Sequence, residues 1–210
     1  MKLYFVRHGK TEWNQEGRFQ GASGDSPLLE ESYEEIKALG QVLASVDFDA
    51  IYSSDLNRAK QTTELLLENA NQECPIIYTK SLREWKLGKL EGTKIATMTA
   101  IYPRQMEAFS DNLAKFNASQ FEAESIYQTT FRVKKLIQSF EEKDYQHVLL
   151  VGHGANLTAS IRSLLGFEPA LLRAQGGLDN ASLTILETDD NKNFNCLLWN
   201  DKPYLDDKIH

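Results

Sequence analysis

Leu3-Tyr4-Phe5-Val6-Arg7-His8-Gly9-Lys10-Thr11 opens on four apolar residues, and an arginine, a histidine and a glycine follow them. A short, unbroken apolar run of this kind reads as a buried strand of a parallel sheet. Open α/β sheets bind ligands just beyond the carboxyl ends of their strands. Arg7 and His8 therefore fall where chemistry is expected, and Gly9 lets the backbone turn tightly beside a ligand. The same order returns at Val148-Leu149-Leu150-Val151-Gly152-His153-Gly154, so two of the four histidines end buried-strand patterns and precede a glycine.

Working outward, Thr11 to Pro27 is polar and glycine-bearing and reads as a loop over the strand end. Tyr33, Ile36, Leu39 and Leu43 recur at helical spacing and predict a helix of about three turns that runs to near Ser45. Ala50–Ser53 and Pro75–Tyr78 read as short strands. The helix between them starts from a cap at Ser54 or Asp55 and turns Leu56, Ala59, Leu66 and Leu67 inward. Leu82 to Gly92 reads as an irregular connection near the strand ends, and Thr93 to Glu124 as helical in pieces, a lid or cap. A long amphipathic helix runs from Ser125 through Val133, Ile137 and Phe140. Strand 147–151, a further helix, and strands 181–187 and 195–199 around a turn at Asp189-Asp190-Asn191 complete the chain. The tail after Pro203 reads as loose. Alternating strands and helices predict an α/β fold, a three-layer α/β/α sandwich around a mostly parallel sheet that the final hairpin makes mixed.

With 210 residues, the chain is long enough for one sizeable domain. A net charge of −7 argues against a nucleic-acid or membrane-surface partner. Cys74 and Cys196 match no metal or redox spacing and read as reduced, buried thiols of a cytoplasmic protein. Four apolar residues before Arg7 are too few for a signal peptide or a membrane span. No carboxylate cluster suggests a metal. Arg58 sits near the start of its helix, where a cation opposes the helix dipole. An anion clamped by its guanidinium is the functional reading, and a solvated surface arginine the alternative.

Five blocks in order carry a resemblance. They are Arg7-His8-Gly9 with Thr11 and Asn14, then Arg18-Phe19-Gln20-Gly21, then Ser53-Ser54-Asp55-Leu56-Asn57-Arg58-Ala59-Lys60-Gln61-Thr62. Leu82-Arg83-Glu84 with Leu90-Glu91-Gly92 and then Val151-Gly152-His153-Gly154 complete the set, with Asn180 and Ser182 matching later. In these the chain resembles the histidine phosphatase superfamily, which includes cofactor-dependent phosphoglycerate mutases and fructose-2,6-bisphosphatases. The resemblance implies one phosphoglycerate mutase-like domain over 1–210, with a lid or cap insertion at about 93–124. It implies His8 as the nucleophile that becomes phosphohistidine, and Arg7, Arg58 and His153 around the phosphoryl group. Asn14, Gln20, Gly21 and Gly154 would bind phosphate or substrate. Glu84 would protonate the leaving oxygen and later activate water; Glu91 is its rival in the same segment, and the family pattern gives it a structural bond instead.

The implied partner is a small phosphorylated metabolite and the implied activity a phosphohydrolase. The alternative is a phosphoglycerate mutase, for which alone 2,3-bisphosphoglycerate would be a cofactor. A third reading is a phospho-ligand binding module of low turnover, whose mark would be a missing catalytic residue. The chain is short in the middle for a mutase. It departs from the family at Leu29 and Ser32, where a helix cap and a turn differ. Lys94, Arg104 and Lys115 are candidate contacts for a second anionic group, against a solvated-face alternative.

Overall fold

The computed structural model describes residues 1–208. Strand β1 (Lys2–Arg7) is followed by a single helical turn α1 (Glu12–Gln15) and by α2 (Glu30–Leu43). Then come β2 (Ala50–Ser54), α3 (Asn57–Ala70), β3 (Ile76–Thr79) and two 3-10 turns at Lys80–Leu82 and Gly88–Leu90. The middle segment forms α4 (Ile95–Ile101) and α5 (Pro103–Ser110) with further 3-10 turns. The chain continues with α6 (Ile126–Gln138), β4 (His147–Gly152), α7 (Gly154–Leu164), β5 (Leu183–Glu187) and β6 (Asn195–Asp201).

The six strands lie in the order β3-β2-β4-β1-β5-β6. β3, β2, β4 and β1 are parallel, β5 runs antiparallel to β1, and β6 antiparallel to β5. The expected α/β architecture with a mixed sheet is thus observed. Side chains of a strand alternate between faces, and in the central strands β2, β4 and β1 both faces are dry. Tyr4, Val6, Ile51, Leu149 and Val151 pack under α2 and α3 against Ile36, Leu39 and Leu66. Leu3, Phe5, Tyr52, Val148 and Leu150 pack under α6 and α7 against Val133, Ile137, Leu157 and Ile161. A third cluster lies over the strand ends, around the fully buried Trp85, with Phe19, Leu87, Met106, Phe109 and Phe121.

The β1–β4 register places the site. Arg7 pairs with Gly152, so His8 and His153 leave the sheet side by side, and the His8 N–H donates to the Gly152 carbonyl at 3.0 Å. α6 begins in a capping box in which Ser125 and Gln128 satisfy each other's backbone N–H groups. The departures at 29 and 32 are local: Leu29 gives α2 no side-chain cap, while the buried Ser32 hydroxyl donates to the Lys10 carbonyl at 2.7 Å and ties α2 to the loop after β1.

Tyr33 lies on the exposed side of α2, because the inner stripe runs through Ser32, Ile36, Leu39, Gly40 and Leu43. Several expectations need correction. α3 has no capping side chain of its own; its Asn57 N–H is satisfied from a distance by Asp25 Oδ2 at 2.9 Å. β5 starts at Leu183 because Ala181 has a φ of 53°. The cysteines are free but not buried: Cys74 is half-covered and Cys196 exposed on β6. The tail expected to be loose forms a 3-10 helix from Pro203, and Tyr204 is buried with its hydroxyl donating to the Ala181 carbonyl at 3.1 Å. Residues 209 and 210 of that tail lie outside the described residues.

Candidate active site

His8 follows β1 directly and is 2% exposed. Its Nδ1 lies 2.7 Å from the carbonyl oxygen of Gly9. A carbonyl only accepts, so Nδ1 carries the hydrogen and Nε2 keeps its lone pair. His153 follows β4, fully buried, with its ring centroid 5.1 Å from that of His8. Its Nε2 lies 2.7 Å from the Ser54 hydroxyl, and its Nδ1 is buried without a partner.

Burial pushes both imidazoles well below the ordinary histidine range, with Arg58 and Arg7 adding repulsion in each case. The folded state therefore binds fewer protons here than the unfolded chain, whose histidines titrate near ~6.5. The stability this contributes is complete above the unfolded value and lost as pH falls through it. Between pH 7.5 and 5.5 we expect thermal scans to show a fall in Tm of roughly 5 °C for a chain of this size. A double replacement of His8 and His153 by asparagine should flatten that slope, whereas an unchanged slope would place its origin elsewhere.

Arg7 closes β1. Its Nη1 donates to the Leu178 carbonyl at 2.5 Å, and its Nε is buried without a partner. A Cβ at Gly154 would come within 2.8 Å of Arg7 Cζ and Nε, so only glycine lets the guanidinium lie across the start of α7. Arg58 is neither solvated nor free. It is 1% exposed and donates to the carbonyls of Gly24 at 2.7 Å and Gly21 at 3.0 Å, and to Asp25 Oδ1 at 3.0 Å. The anion that its position called for is thus first of all Asp25. Its Nε alone stays buried and unpartnered.

Asn14 Oδ1 accepts from the Thr11 N–H, the Thr11 hydroxyl and Asn180 Nδ2, at 3.1, 3.1 and 3.2 Å. These bonds fix the amide and leave its own N–H donors free. Gln20 donates to the Thr11 hydroxyl at 3.0 Å and accepts from Ser26. Glu84 is buried at the start of α7. Its Oε1 accepts from the N–H groups of Trp85 (2.8 Å) and Asn156 (2.7 Å), and its Oε2 from that of Ala155 (2.9 Å). Glu91 instead binds the N–H groups of Gly21 at 3.2 Å and Ser23 at 3.4 Å, and burial raises its pKa. Sequence reasoning missed Arg132 of α6. Its guanidinium pairs with Glu124 at 2.9 Å and donates to the carbonyls of Ser81 and Arg83 at 3.1 and 3.2 Å, which anchors the strand of chain leading into Glu84.

A cavity of about 170 Å³ opens at this end of the sheet, and Arg7, His8, Asn14, Gln20, Glu84 and Gly154 all line it. Arg58, His153 and Gly21 lie behind that surface, and the Gly21 N–H expected to meet substrate is taken by Glu91. Arg18, Phe19, Ile95, Phe109 and Arg173 also line it, and of these Arg173 had no signal in the sequence. Arg104 and Lys115 line a separate surface pocket, and Lys94 is exposed. Among the described residues, no group of three or more His, Cys, Asp or Glu could hold a metal ion, and no helix is long and apolar enough to cross a membrane.

The model of the histidine phosphatase superfamily (branch 1) matches residues 3–202. GpmB of Salmonella arizonae, described as a "Probable phosphoglycerate mutase", is 32% identical over 189 residues, which is 88% of this chain and 83% of its own. Among solved structures, YhfR of Bacillus stearothermophilus superposes with a TM-score of 0.86 at 29% identity, covering 95% of this chain and 96% of its own. A mycobacterial glucosyl-3-phosphoglycerate phosphatase does so with a TM-score of 0.84 at 28% identity, covering 95% and 98%. The resemblance drawn from the five sequence blocks is borne out.

Proposed function

The chain belongs to the histidine phosphatase superfamily (branch 1), and on that premise we propose that it is a phosphohydrolase acting on a small phosphomonoester through phosphohistidine at His8. The observation that carries this reading is the His8 ring: Nδ1–H is anchored on the Gly9 carbonyl, and the imidazole is kept neutral beside two guanidiniums. A nucleophilic histidine needs an unprotonated attacking nitrogen, and a fixed hydrogen bond at the other nitrogen orients it.

Nε2 attacks phosphorus while the ester P–O bond breaks and the departing oxygen takes a proton from Glu84. Glu84 Oε2 has a single protein donor, which leaves it room for that hydrogen. A water molecule then gives its proton back to the Glu84 carboxylate and attacks phosphorus, the N–P bond breaks, and inorganic phosphate and His8 are released. Charge in phosphoryl transfer spreads over the equatorial oxygens, so fixed donors supply most of the catalysis. Arg7 lines the cavity and is such a donor, and Arg58 and His153 lie behind it, each with one buried ring or guanidinium nitrogen unpartnered. A dianion beside His153 would favour its protonated form. Residues 93–124 act as a cap, since Ile95 and Phe109 wall the cavity. No cofactor takes part.

Similarity to a relative described as a probable phosphoglycerate mutase favours one second reading, in which His8 returns the phosphoryl group to bound glycerate. Supplied with 3-phosphoglycerate after dialysis against a chelator, the purified protein should release inorganic phosphate, without 2,3-bisphosphoglycerate present. Formation of 2-phosphoglycerate without phosphate release would establish the mutase instead.

A further inference from the structure

Glu84 sits in an irregular stretch of chain. Between the 3-10 turn at Lys80–Leu82 and the one at Gly88–Leu90 the backbone joins neither the sheet nor a helix, so its carbonyls need partners from elsewhere. One guanidinium supplies them. Arg132 of α6 turns Nη1 toward the carbonyls of Lys80, Ser81 and Arg83 at 3.3, 3.1 and 3.2 Å, and Nη2 toward that of Glu84 at 3.4 Å. Its Nε and Nη2 also donate to the two carboxylate oxygens of Glu124, at 3.0 and 2.9 Å, the two-pronged pairing that a planar fork allows. Glu124 ends the cap segment and closes the same stretch from its far side. Its Oε2 accepts from the Lys86 N–H, its own N–H donates to the Lys86 carbonyl, and its carbonyl accepts from Trp85 Nε1, each at 2.8 Å.

The same guanidinium reaches the carboxyl of Glu84 by a second route. Arg132 Nη2 donates to the Thr129 hydroxyl at 3.3 Å. That hydroxyl and the Thr129 carbonyl hold the side-chain amide of Asn156, at 2.8 and 3.0 Å. The Asn156 N–H in turn donates to Glu84 Oε1 at 2.7 Å. Thr129 and Asn156 are fully buried. Arg132 thus holds Glu84 at both ends, the backbone directly and the carboxyl through Thr129 and Asn156. Docking of α6 does not call for this. Val133 and Ile137 seat the helix in the core, and its other cations, Lys134 and Lys135, are exposed.

We propose that Arg132 is the positioning residue of the general acid and sets where the Glu84 carboxyl points at the leaving oxygen. The proposal rests on the phosphohydrolase reading and deepens it. Arg132 does not line the cavity, so it meets the reaction only through Glu84. A misplacement of about 1 Å in a reacting group can cost about 10²-fold. Here that cost falls on leaving groups that need a proton and spares those that do not.

Two kinds of ester separate this role from a general loss of structure. kcat/KM covers steps only as far as departure of the first product. With p-nitrophenyl phosphate those steps need no proton from Glu84, and with an alkyl ester they do. The alkyl ester is the faster of 3-phosphoglycerate and glycerol 3-phosphate, counting all ester consumed. In Arg132→Gln the alkyl-to-aryl ratio of kcat/KM should fall on the order of 10-fold or more. In Arg132→Lys, which keeps a cation beside Glu124 but lacks the fork, it should fall less, and this variant carries the test if Arg132→Gln does not fold. Added to Glu84→Gln, either change should lower the ratio no further, because the group it positions is already gone. An unchanged ratio in the folded variants, whether or not both esters slow together, overturns the proposal. So does a further fall of the same size in the double variant, which would make Arg132 act apart from Glu84. Wild-type protein that consumes neither alkyl ester would overturn the phosphohydrolase reading itself.

Discussion

His8→Ala is expected to lower kcat/KM for every phosphomonoester on the order of 10⁴-fold or more, the scale on which loss of a nucleophile is felt. No neighbour can take its place. His153, the nearest imidazole, has its Nε2 against Ser54 and does not reach the cavity surface. The residual rate would reflect the guanidiniums alone. The decisive measurement is trapping. Wild-type protein quenched in alkali during turnover of a phosphorus-labelled ester should retain label that acid releases, as a phosphoramidate does, and His8→Ala should retain none. Undiminished turnover in the variant would remove His8 from the chemistry.

The second large effect belongs to Glu84. Glu84→Gln should cost on the order of 10²–10⁴-fold on an alkyl phosphate, the usual worth of general acid–base catalysis. The loss should depend on the leaving group. p-Nitrophenolate departs without a proton, so with that ester the first half-reaction should survive. The second half-reaction, which needs a base for water, should not. A burst of nitrophenolate followed by a slow steady state is the expected trace, with phosphohistidine accumulating. Glutamine can still accept the two N–H groups that Oε1 now holds, from Trp85 and Asn156. Glu91→Gln should show a much smaller loss with no dependence on leaving group, since its carboxylate is spent on the Gly21 and Ser23 N–H groups. A leaving-group dependence in Glu91→Gln instead would exchange the two roles.

What could be read from the sequence was what repeats locally. β1 and β4 announce themselves because a strand dry on both faces must be apolar throughout, and each ends in a histidine and a glycine that no packing argument requires. α6 was legible because Val133 and Ile137 keep helical spacing, although the helix ends at Gln138, short of Phe140. The middle segment was not, because its apolar residues serve neither face of the sheet. Phe109, Phe116 and Phe121 gather instead on one another and on Trp85, a cluster with no period along the chain. Tyr204 was misread for a related reason: one aromatic in a charged tail docks through a single long-range contact.

At the site, residue identities were readable and bonding was not. Arg58 could be chosen as a phosphate ligand, but nothing local reveals that the carbonyls of Gly21 and Gly24 already hold it. Arg173 lacked even that signal, because its neighbours in sequence form no regular element and its reason for being there is Phe109, far earlier in the chain.

The place of β1 in the sheet bears on how the protein is made. This strand is made before its neighbours, yet it is hemmed in by β4 on one side and β5 on the other, whose residues lie at 147–152 and 183–187. At synthesis rates of roughly 5–20 residues per second, the nascent Arg-His-Gly segment waits on the order of 10–40 s for both partners to emerge. Until then its apolar run is an unpaired edge open to chaperones and to misassembly. Catalytic competence is therefore withheld until β4 and β5 have both emerged.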